Sequence, residues 1–457
     1  PMSNTLILIN PWIYDFAAYD LWSKPLGLLF LAGGLREKGF RVRFIDCLDI
    51  HHPLLEDARA ESRPVRRAYG TGKFRRERVS KPEPLAHVPR TYSRYGIPID
   101  LFVQVLREVE NPAAILVTSL MTYWYPGVRE VIRLAKKIHP DAPVILGGIY
   151  AGLCEGHARR TSGADYVIAQ RTTPPLDNLI RLLDRMGIRP GRKGARPGPH
   201  PYPAFDLLHR LDYVCLSGSL GCPFRCHYCA SPFLNARFLQ RNSLEILDEI
   251  LYWHRTHGVR DFAFYDDALL VNAETCMVPV MKALADLKLG LRFHTPNALH
   301  VREISRDVAR LLHASGFRTI RLGLETADMD PHDRLDKKVR AGEFEKALGN
   351  LQGAGFRKQD IGAYILAGLP GQSVASVLET IHFADRAGAM PYLAEYSPIP
   401  HTTLWEKARA NSEYDLADEP LFHNNTLLPC WDAGKRDKIQ EIKEVVREIR
   451  KKQDGGG

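Results

Sequence analysis

Short apolar runs and longer stretches of helical spacing take turns along this chain. TLILIN (residues 5–10), AAILVTS, PVILGG and ADYVIA are compact and largely apolar, and RVRFID is a further short strand-like run that mixes charged and apolar residues. Between them, LGLLFLAGGLREKG, closed by Gly39, and GVREVIRLAKKIH carry apolar residues at helical period. Strands buried on both faces read as continuous apolar runs and need helices to cover them. This order therefore predicts a parallel, doubly wound sheet. Such sheets bind ligands at the carboxyl ends of their strands. Here those ends read INPWIYD, TSLMTYWYPG and GGIYAG, mixing small, aromatic and hydroxyl residues.

A second rhythm begins after a Pro-, Gly- and Arg-rich stretch from Gly187 to Pro203, whose composition predicts a linker. Beyond it, Gly258, Gly290, Gly316, Gly355 and Gly388 each follow a helical pattern and precede an apolar run. Glycine just past a helix is what a left-handed C-terminal cap selects. With YVCLS in front, the runs FAFYDD, LRFHTPN, TIRLGLET, GAYILAGLP and YLAEYSPIP make about six βα units. Each ends in polar or Gly/Pro residues, which is where a βα barrel keeps its chemistry. The predicted organisation is a Rossmann-like domain over 1–190, a linker over 191–204, a partial (βα)6 barrel over 205–410 and a C-terminal extension over 411–457. Within that extension, KRDKIQEIKEVVREIRKK predicts a charged amphipathic helix that packs on the surface.

At 457 residues, 45% hydrophobic and 25% charged, the chain has the make-up of a globular protein of more than one domain. The longest apolar run, LGLLFLAGG, is about nine residues, against the ~20 a bilayer span needs. With no secretory leader read, the expected compartment is the cytoplasm. Much of the net charge of +9 lies in Arg63 to Lys81, where Glu77 is the only acid. That segment reads chiefly as a solvated loop, and secondarily as a contact for an anion or RNA. Arg185 to Arg196 is a second basic stretch and reads as part of the linker.

Eight cysteines do not suggest a disulfide framework here. Cys47, Cys154, Cys215, Cys276 and Cys430 are scattered, and Cys430 reads as a buried thiol. Cys222, Cys226 and Cys229 are gathered in GCPFRCHYCASP, directly after the first βα strand. Clustered thiolates bind zinc or iron–sulfur. A structural zinc takes four ligands, and the nearest candidates for a fourth are His227 and Cys215. A four-iron cluster on three cysteines instead leaves one iron open.

CPFRCHYC, with Tyr228 ahead of the third cysteine, resembles the signature of the radical S-adenosylmethionine enzymes. SLGCPFRCHYC, FYDD, TPNALHVREI, RLGLET, GLPGQ and SPIPHTTLWE together resemble the branch of that superfamily with an N-terminal cobalamin-binding domain. The resemblance covers nearly the whole chain. It implies a [4Fe–4S] cluster on Cys222, Cys226 and Cys229. Its open iron would take the amino and carboxylate groups of S-adenosylmethionine. Reductive cleavage would then give a 5′-deoxyadenosyl radical that abstracts a substrate hydrogen. By the same resemblance Tyr228, Asp266, Asp267, Asn297, Arg321, Glu325, Gly368, Leu369, Tyr396 and Ser397 are the S-adenosylmethionine-binding positions.

For the first domain the resemblance implies cobalamin, with Thr118, Ser119, Met121, Thr122, Gly147, Gly148 and Tyr150 as candidates. Glycines let backbone approach a bulky cofactor, and hydroxyls can bond its amides and phosphate. Two departures stand out. The Asp-x-His-x-x-Gly motif is absent after the second strand, where DCLDIHH leaves only the loop histidines His51 and His52. The branch's acidic turn is replaced by Gln170, Arg171 and Thr172. The implied activity is methylation of an unactivated carbon. The alternatives are a cobalamin-dependent or cobalamin-free cyclase or oxidoreductase, an RNA-modifying methylthiotransferase, and a non-enzymatic carrier. Implied partners are a small-molecule or peptide substrate, anionic if the basic loop meets it, and an electron donor such as flavodoxin or ferredoxin. Nucleic acid is not an expected partner.

Overall fold

The computed structural model describes residues 4–55, 64–169, 175–191, 202–327, 339 and 342–454. The chain forms two compact units, Pro1–Asp212 and Tyr213–Gly457.

The first unit is built on strands β1 (Thr5–Asn10), β2 (Arg41–Asp46), β3 (Ala114–Val117), β4 (Val144–Leu146) and β5 (Tyr166–Val167), ordered β5-β4-β3-β1-β2. Every neighbouring pair is parallel. Leu6 and Leu8 of β1 pack with Leu28, Ala32 and Leu35 of the helix Leu26–Glu37 and with Leu179, Leu182 and Leu183 of the helix Pro175–Arg185. Alternation along the strand sends Ile7 and Ile9, both fully buried, to the other face. Helices Ile99–Arg107 and Tyr125–Ile138 supply the cover there. The doubly wound sheet is thus the one its apolar runs predict. β1 and β3 lie side by side while their helices leave in opposite directions, and such a switch point opens a crevice at the strand ends.

The basic segment is not a plain loop. Gly72–Lys73 pairs with Tyr19–Asp20, and Arg76–Arg78 joins Ser93–Tyr95 and Ile13–Asp15 in a small antiparallel sheet. Arg66 pairs with Asp20 at 2.8 Å and Arg94 with Glu77 at 2.5 Å. Strands of two or three residues, crowded with charge, carry no readable period, so the sequence showed only their polarity.

The second unit carries β6 (Val214–Leu216), β7 (Asp261–Phe264), β8 (Arg292–His294), β9 (Phe317–Glu325), β10 (Ile361–Ala367) and β11 (Met390–Glu395). All six are parallel and neighbours in sequence are neighbours in the sheet, the pattern of a partial (βα)6 barrel. Helices Ser243–His257, Arg306–Ser315 and Val374–Ala387 open on side-chain caps from Asn242, Ser305 and Ser373. All five glycines of the repeating rhythm have positive φ, as left-handed caps require. The helix Ile439–Asp454 buries Ile442, Val446 and Ile449 and packs beside β11, so the charged C-terminal pattern is a packing helix.

Candidate functional site

The cysteine loop starts at the carboxyl end of β6. Gly221, immediately before Cys222, has φ +77°, and a Cβ there would stand 2.5 Å from the Arg237 carbonyl oxygen. Only glycine turns the chain this tightly against that backbone. The loop is then braced from several sides. The backbone N–H of Cys229 bonds the Cys226 carbonyl at 3.0 Å, and that of Leu404 bonds the His227 carbonyl at 2.9 Å. Phe224 lies against His300 with ring centroids 4.3 Å apart. His300 Nε2 comes within 4.0 Å of Cys222 Sγ, and the Ser231 backbone N–H donates to Cys229 Sγ at 3.4 Å.

All eight cysteines are free thiols. Among the described residues, no three His, Cys, Asp or Glu side chains converge as ligands of one metal ion do. A four-iron cluster spreads its thiolates wider than a single ion. The pre-folded loop and the N–H donor aimed at a cysteine sulfur suit thiolate ligands of that kind. His300 carried no signal in the sequence, because its approach to Cys222 spans residues far apart in the chain.

Asp266 and Asp267 follow β7 by two and three residues and go different ways. Asp266 is 4% exposed. Its carboxylate accepts the Ser219 hydroxyl at 2.6 Å and the Gly218 backbone N–H at 3.0 Å. Burial pushes its pKa up to about 6, against the pull of those hydrogen bonds. Asp267 is exposed and accepts the Ser231 hydroxyl at 2.5 Å.

Thr319, Arg321, Gly323 and Glu325 share one face of β9. Glu325 is buried yet holds φ +64°, a conformation a non-glycine residue adopts at a cost and typically where function demands it. Arg321 is buried too, its guanidinium 4.2 Å from the centroid of the Tyr392 ring. Asn297 is exposed beyond β8, and its amide donates to the Tyr265 carbonyl at 2.8 Å.

Gly368 and Leu369 form a loop pinned by Gln372. The Gln372 Oε1 accepts both of their N–H groups and its Nε2 donates to the Leu366 carbonyl at 2.8 Å. That pinning role for Gln372 is another the sequence did not announce. Tyr396 sits with Leu369, Leu404, Cys430 and the partly buried Tyr228 in an apolar cluster. The Tyr396 hydroxyl is buried without a hydrogen bond, and burial raises its pKa. Burial likewise pushes the Cys430 thiol up to about 12, so it stays protonated. Ser397 gives its hydroxyl to the His423 carbonyl at 2.6 Å.

In the first unit the candidates fall into two groups. Gly148 has φ +95°, and a Cβ would lie 2.3 Å from the Ser119 carbonyl oxygen. Ser119 is buried and donates to the Gly147 carbonyl at 2.7 Å. Tyr150 and Thr122 turn into the protein, Tyr150 bonding His157 Nδ1 at 2.7 Å. What remains outward is apolar and open. Met121 is 47% exposed, Ile149 39%, Thr118 is half-buried, and a Cβ on Gly147 would meet nothing within 4 Å. A flat apolar lip at the carboxyl edge of β3 and β4 suits the face of a corrin ring. His51 and His52 are held in the loop after β2. His51 Nε2 lies 2.7 Å from Asp212 Oδ2, and His52 packs edge-on against His209. Gln170, Arg171 and Thr172 lie outside the described residues.

Comparison with known proteins agrees with this division. The model of the radical SAM superfamily matches residues 216–384 and that of the B12 binding domain matches residues 92–180. An uncharacterized methyltransferase of Pyrococcus horikoshii is 25% identical over 330 residues, 66% of this chain and 70% of that one. An anaerobic magnesium-protoporphyrin IX monomethyl ester cyclase of Cereibacter sphaeroides is 22% identical over 346 residues, and the match spans 55% of its length. Among solved structures, the radical S-adenosylmethionine methyltransferase TsrM of Kitasatospora setae superposes with a TM-score of 0.64 at 15% identity, covering 90% of this chain and 78% of that one. Among the described residues no helix is long and apolar enough to cross a membrane. The chain thus carries a B12-binding domain followed by a radical S-adenosylmethionine superfamily domain, and the cofactors of these domains are a [4Fe–4S] cluster, S-adenosylmethionine and cobalamin.

Proposed function

We propose that this chain is a cobalamin-dependent methyltransferase acting on an unactivated carbon of a small molecule or peptide. One observation carries the reading. A thiolate loop braced at the mouth of a βα barrel and a glycine-lipped apolar ledge on a doubly wound sheet occur in one chain. When bound, the cluster supplies the electron that cleaves S-adenosylmethionine, and the corrin carries the methyl group.

The chain's own residues bind and orient. Cys222, Cys226 and Cys229 hold the iron. Asp267 offers an exposed carboxylate to a cationic group, and Arg321 and Glu325 give the barrel interior one charge of each sign. Gly368 and Leu369, fixed by Gln372, present backbone to an adenine edge. Tyr228, Tyr396 and Cys430 pack an apolar wall that excludes water. Arg78, Lys81 and Arg90 line a cavity of about 580 Å³ in the first unit, which supports an anionic partner or substrate. A low-potential one-electron donor of the flavodoxin or ferredoxin kind completes the requirement. The second reading is a radical cyclase or oxidoreductase, favoured by the likeness to the cyclase named above.

The test is anaerobic reconstitution with iron, sulfide and hydroxocobalamin, followed by gel filtration, iron counting and a visible spectrum. The expected result is about four irons and one corrin per chain, with 5′-deoxyadenosine formed on reduction. Four irons without corrin would favour cobalamin-free radical chemistry, and absence of both would end the proposal. A methylated product from a substrate panel would then separate methyl transfer from cyclisation.

A further inference from the structure

From Tyr213 to Leu244 the chain carries three arginines and no acid, and Cys222, Cys226 and Cys229 lie inside that stretch. A two-stranded antiparallel ribbon, Ser219–Leu220 against Leu239–Gln240, flanks the cysteine loop on both sides. Leu220 and Leu239 are direct cross-strand partners, so their side chains share one face. Both are more than half exposed, at 52% and 56%. The other two ribbon residues are fastened to the protein. Ser219 is buried and donates to Asp266 Oδ1 at 2.6 Å, and the Gln240 amide donates to the Val271 carbonyl at 2.7 Å. The leucines are therefore held outward on a fixed ribbon.

That ribbon stands beside the cysteines by construction. Leu220 precedes Cys222 by two residues, which bounds their Cα separation at about 7 Å. Arg225 is the neighbour of Cys226 in the chain, and the Arg237 carbonyl packs against Gly221, the residue before Cys222. Both arginines are exposed, and among the described residues no ion pair holds either of them. Arg241, the third, is paired with Glu249 at 2.6 Å. An exposed apolar pair beside two unneutralised guanidiniums has the anatomy of a protein contact, in which a small apolar centre gives adhesion and charge gives direction. Electron-transfer encounters sit at the small end of interfaces, below about 1,200 Å², and charge steers them.

Resting on the function proposed above, which requires that an electron reach the cluster, we infer that this ribbon face docks a small acidic protein that carries one electron at low potential. Leu220 and Leu239 seat it, and Arg225 and Arg237 meet its carboxylates. On contact one electron passes from the reduced carrier to the cluster. The carrier is oxidised, the cluster is reduced, and no bond is made or broken in that step. Electron transfer weakens steeply with separation, which is why the seat belongs beside the cysteines.

The full chain reconstituted with iron and sulfide tests this with a purified flavodoxin, an acidic carrier, and with dithionite, a small reductant that needs no docking. Three quantities are read: iron per chain, affinity for flavodoxin, and the rate at which the cluster absorbance bleaches with each reductant. The double variant Arg225→Glu with Arg237→Glu is expected to keep its iron and its dithionite rate while losing at least about tenfold in flavodoxin affinity and rate. Raising ionic strength from about 0.01 M to about 0.15 M should slow flavodoxin on the wild type and leave that variant nearly unaffected. Leu220→Ser with Leu239→Ser is expected to weaken affinity about tenfold and retain the salt dependence.

Equal flavodoxin affinity and rate in the wild type and the charge-reversed chain overturns the docking site. So does a wild type that dithionite reduces and flavodoxin does not. An equal loss in Arg310→Glu with Arg447→Glu, two exposed arginines elsewhere in the same unit, overturns it as well, because net charge alone would then explain the effect. If the wild type is a dimer that the serine pair turns into a monomer, the face joins copies of this chain and the carrier site is overturned. Should Arg225→Glu lower the iron content, Arg237→Glu alone decides, since it lies outside the cysteine loop. Selective loss with flavodoxin supports the site, and no loss overturns it. A chain that loads about four irons yet shows no difference among its variants loses only the docking site. A wild type that takes up no cluster loses the proposed function and this site with it.

Discussion

Glu325 concentrates the residue-scale argument. Left-handed backbone costs a non-glycine residue about 1–2 kcal/mol, and glycine would adopt it freely. We propose that a glutamate both buried and left-handed is kept at this position for its carboxylate. Glu325→Gly is therefore expected to hold or raise the melting temperature while lowering S-adenosylmethionine affinity at least about tenfold. Calorimetry and equilibrium binding on the same preparation decide it, and unchanged affinity would remove Glu325 from the cofactor site. Legibility at this scale was uneven. Three cysteines in one short loop announce a thiolate site by spacing, and the family resemblance supplied the choice of an iron–sulfur cluster over zinc. Asp266 and Asp267 are indistinguishable in sequence, because only burial separates them. Tyr396 and Ser397 lie just past β11, where strand alternation no longer dictates direction, and the structure sends one into an apolar cluster and the other to a carbonyl.

Among the elements, the loop after β2 is tied to the end of the first unit by two imidazole–carboxylate pairs. His209 Nδ1 lies 2.6 Å from Asp49 Oδ2, and His51 bonds Asp212. The Asp49 carboxylate raises His209 above its ordinary 6.5, and His209, after burial is offset, helps hold Asp49 below its ordinary 3.8. A raised histidine stabilises fully below its unfolded value and loses that contribution as pH climbs through its folded one. The lowered Asp49 does the reverse: its contribution is present above 3.8 and lost as pH falls through the folded value. Comparing wild type with His209→Asn should thus show the largest melting-temperature gap near pH 6, closing toward pH 9. Partial exposure of His209 keeps the effect below about 1 kcal/mol. A gap that persists at high pH would mean the ring acts by packing. The strands and helices themselves were readable, since continuous apolar runs and capping glycines are local signals. The small sheets of the basic segment were not, since two-residue strands have no period to read.

For the molecule as a whole, the two units carry separate chemistries, and single changes should dissect them. Gly148→Ala forces a Cβ into the Ser119 carbonyl at a backbone angle that alanine avoids. It is expected to abolish corrin uptake while leaving about four irons per chain, and Cys226→Ala to do the opposite. Iron and cobalt counts on the two variants check this, and joint loss of both cofactors in either would contradict it. The abrupt change of composition at the Gly187–Pro203 stretch suggested a boundary there, whereas the compact units divide at Asp212, beyond the expected start of the barrel at 205. The pairing of the last helix with the barrel was legible only as amphipathicity.

That last helix has a consequence for how damage would present. Arg450 lies 4.3 Å from the centroid of the Tyr392 ring, the ring that also meets Arg321 on the inner strands. Ile442, Val446 and Ile449 seat the helix that delivers it. Protease trimming ahead of Ile442 would strip away that support. A lesion in this helix would then read out as a defect of the barrel interior, since it would release the Tyr392 ring on which a buried guanidinium rests.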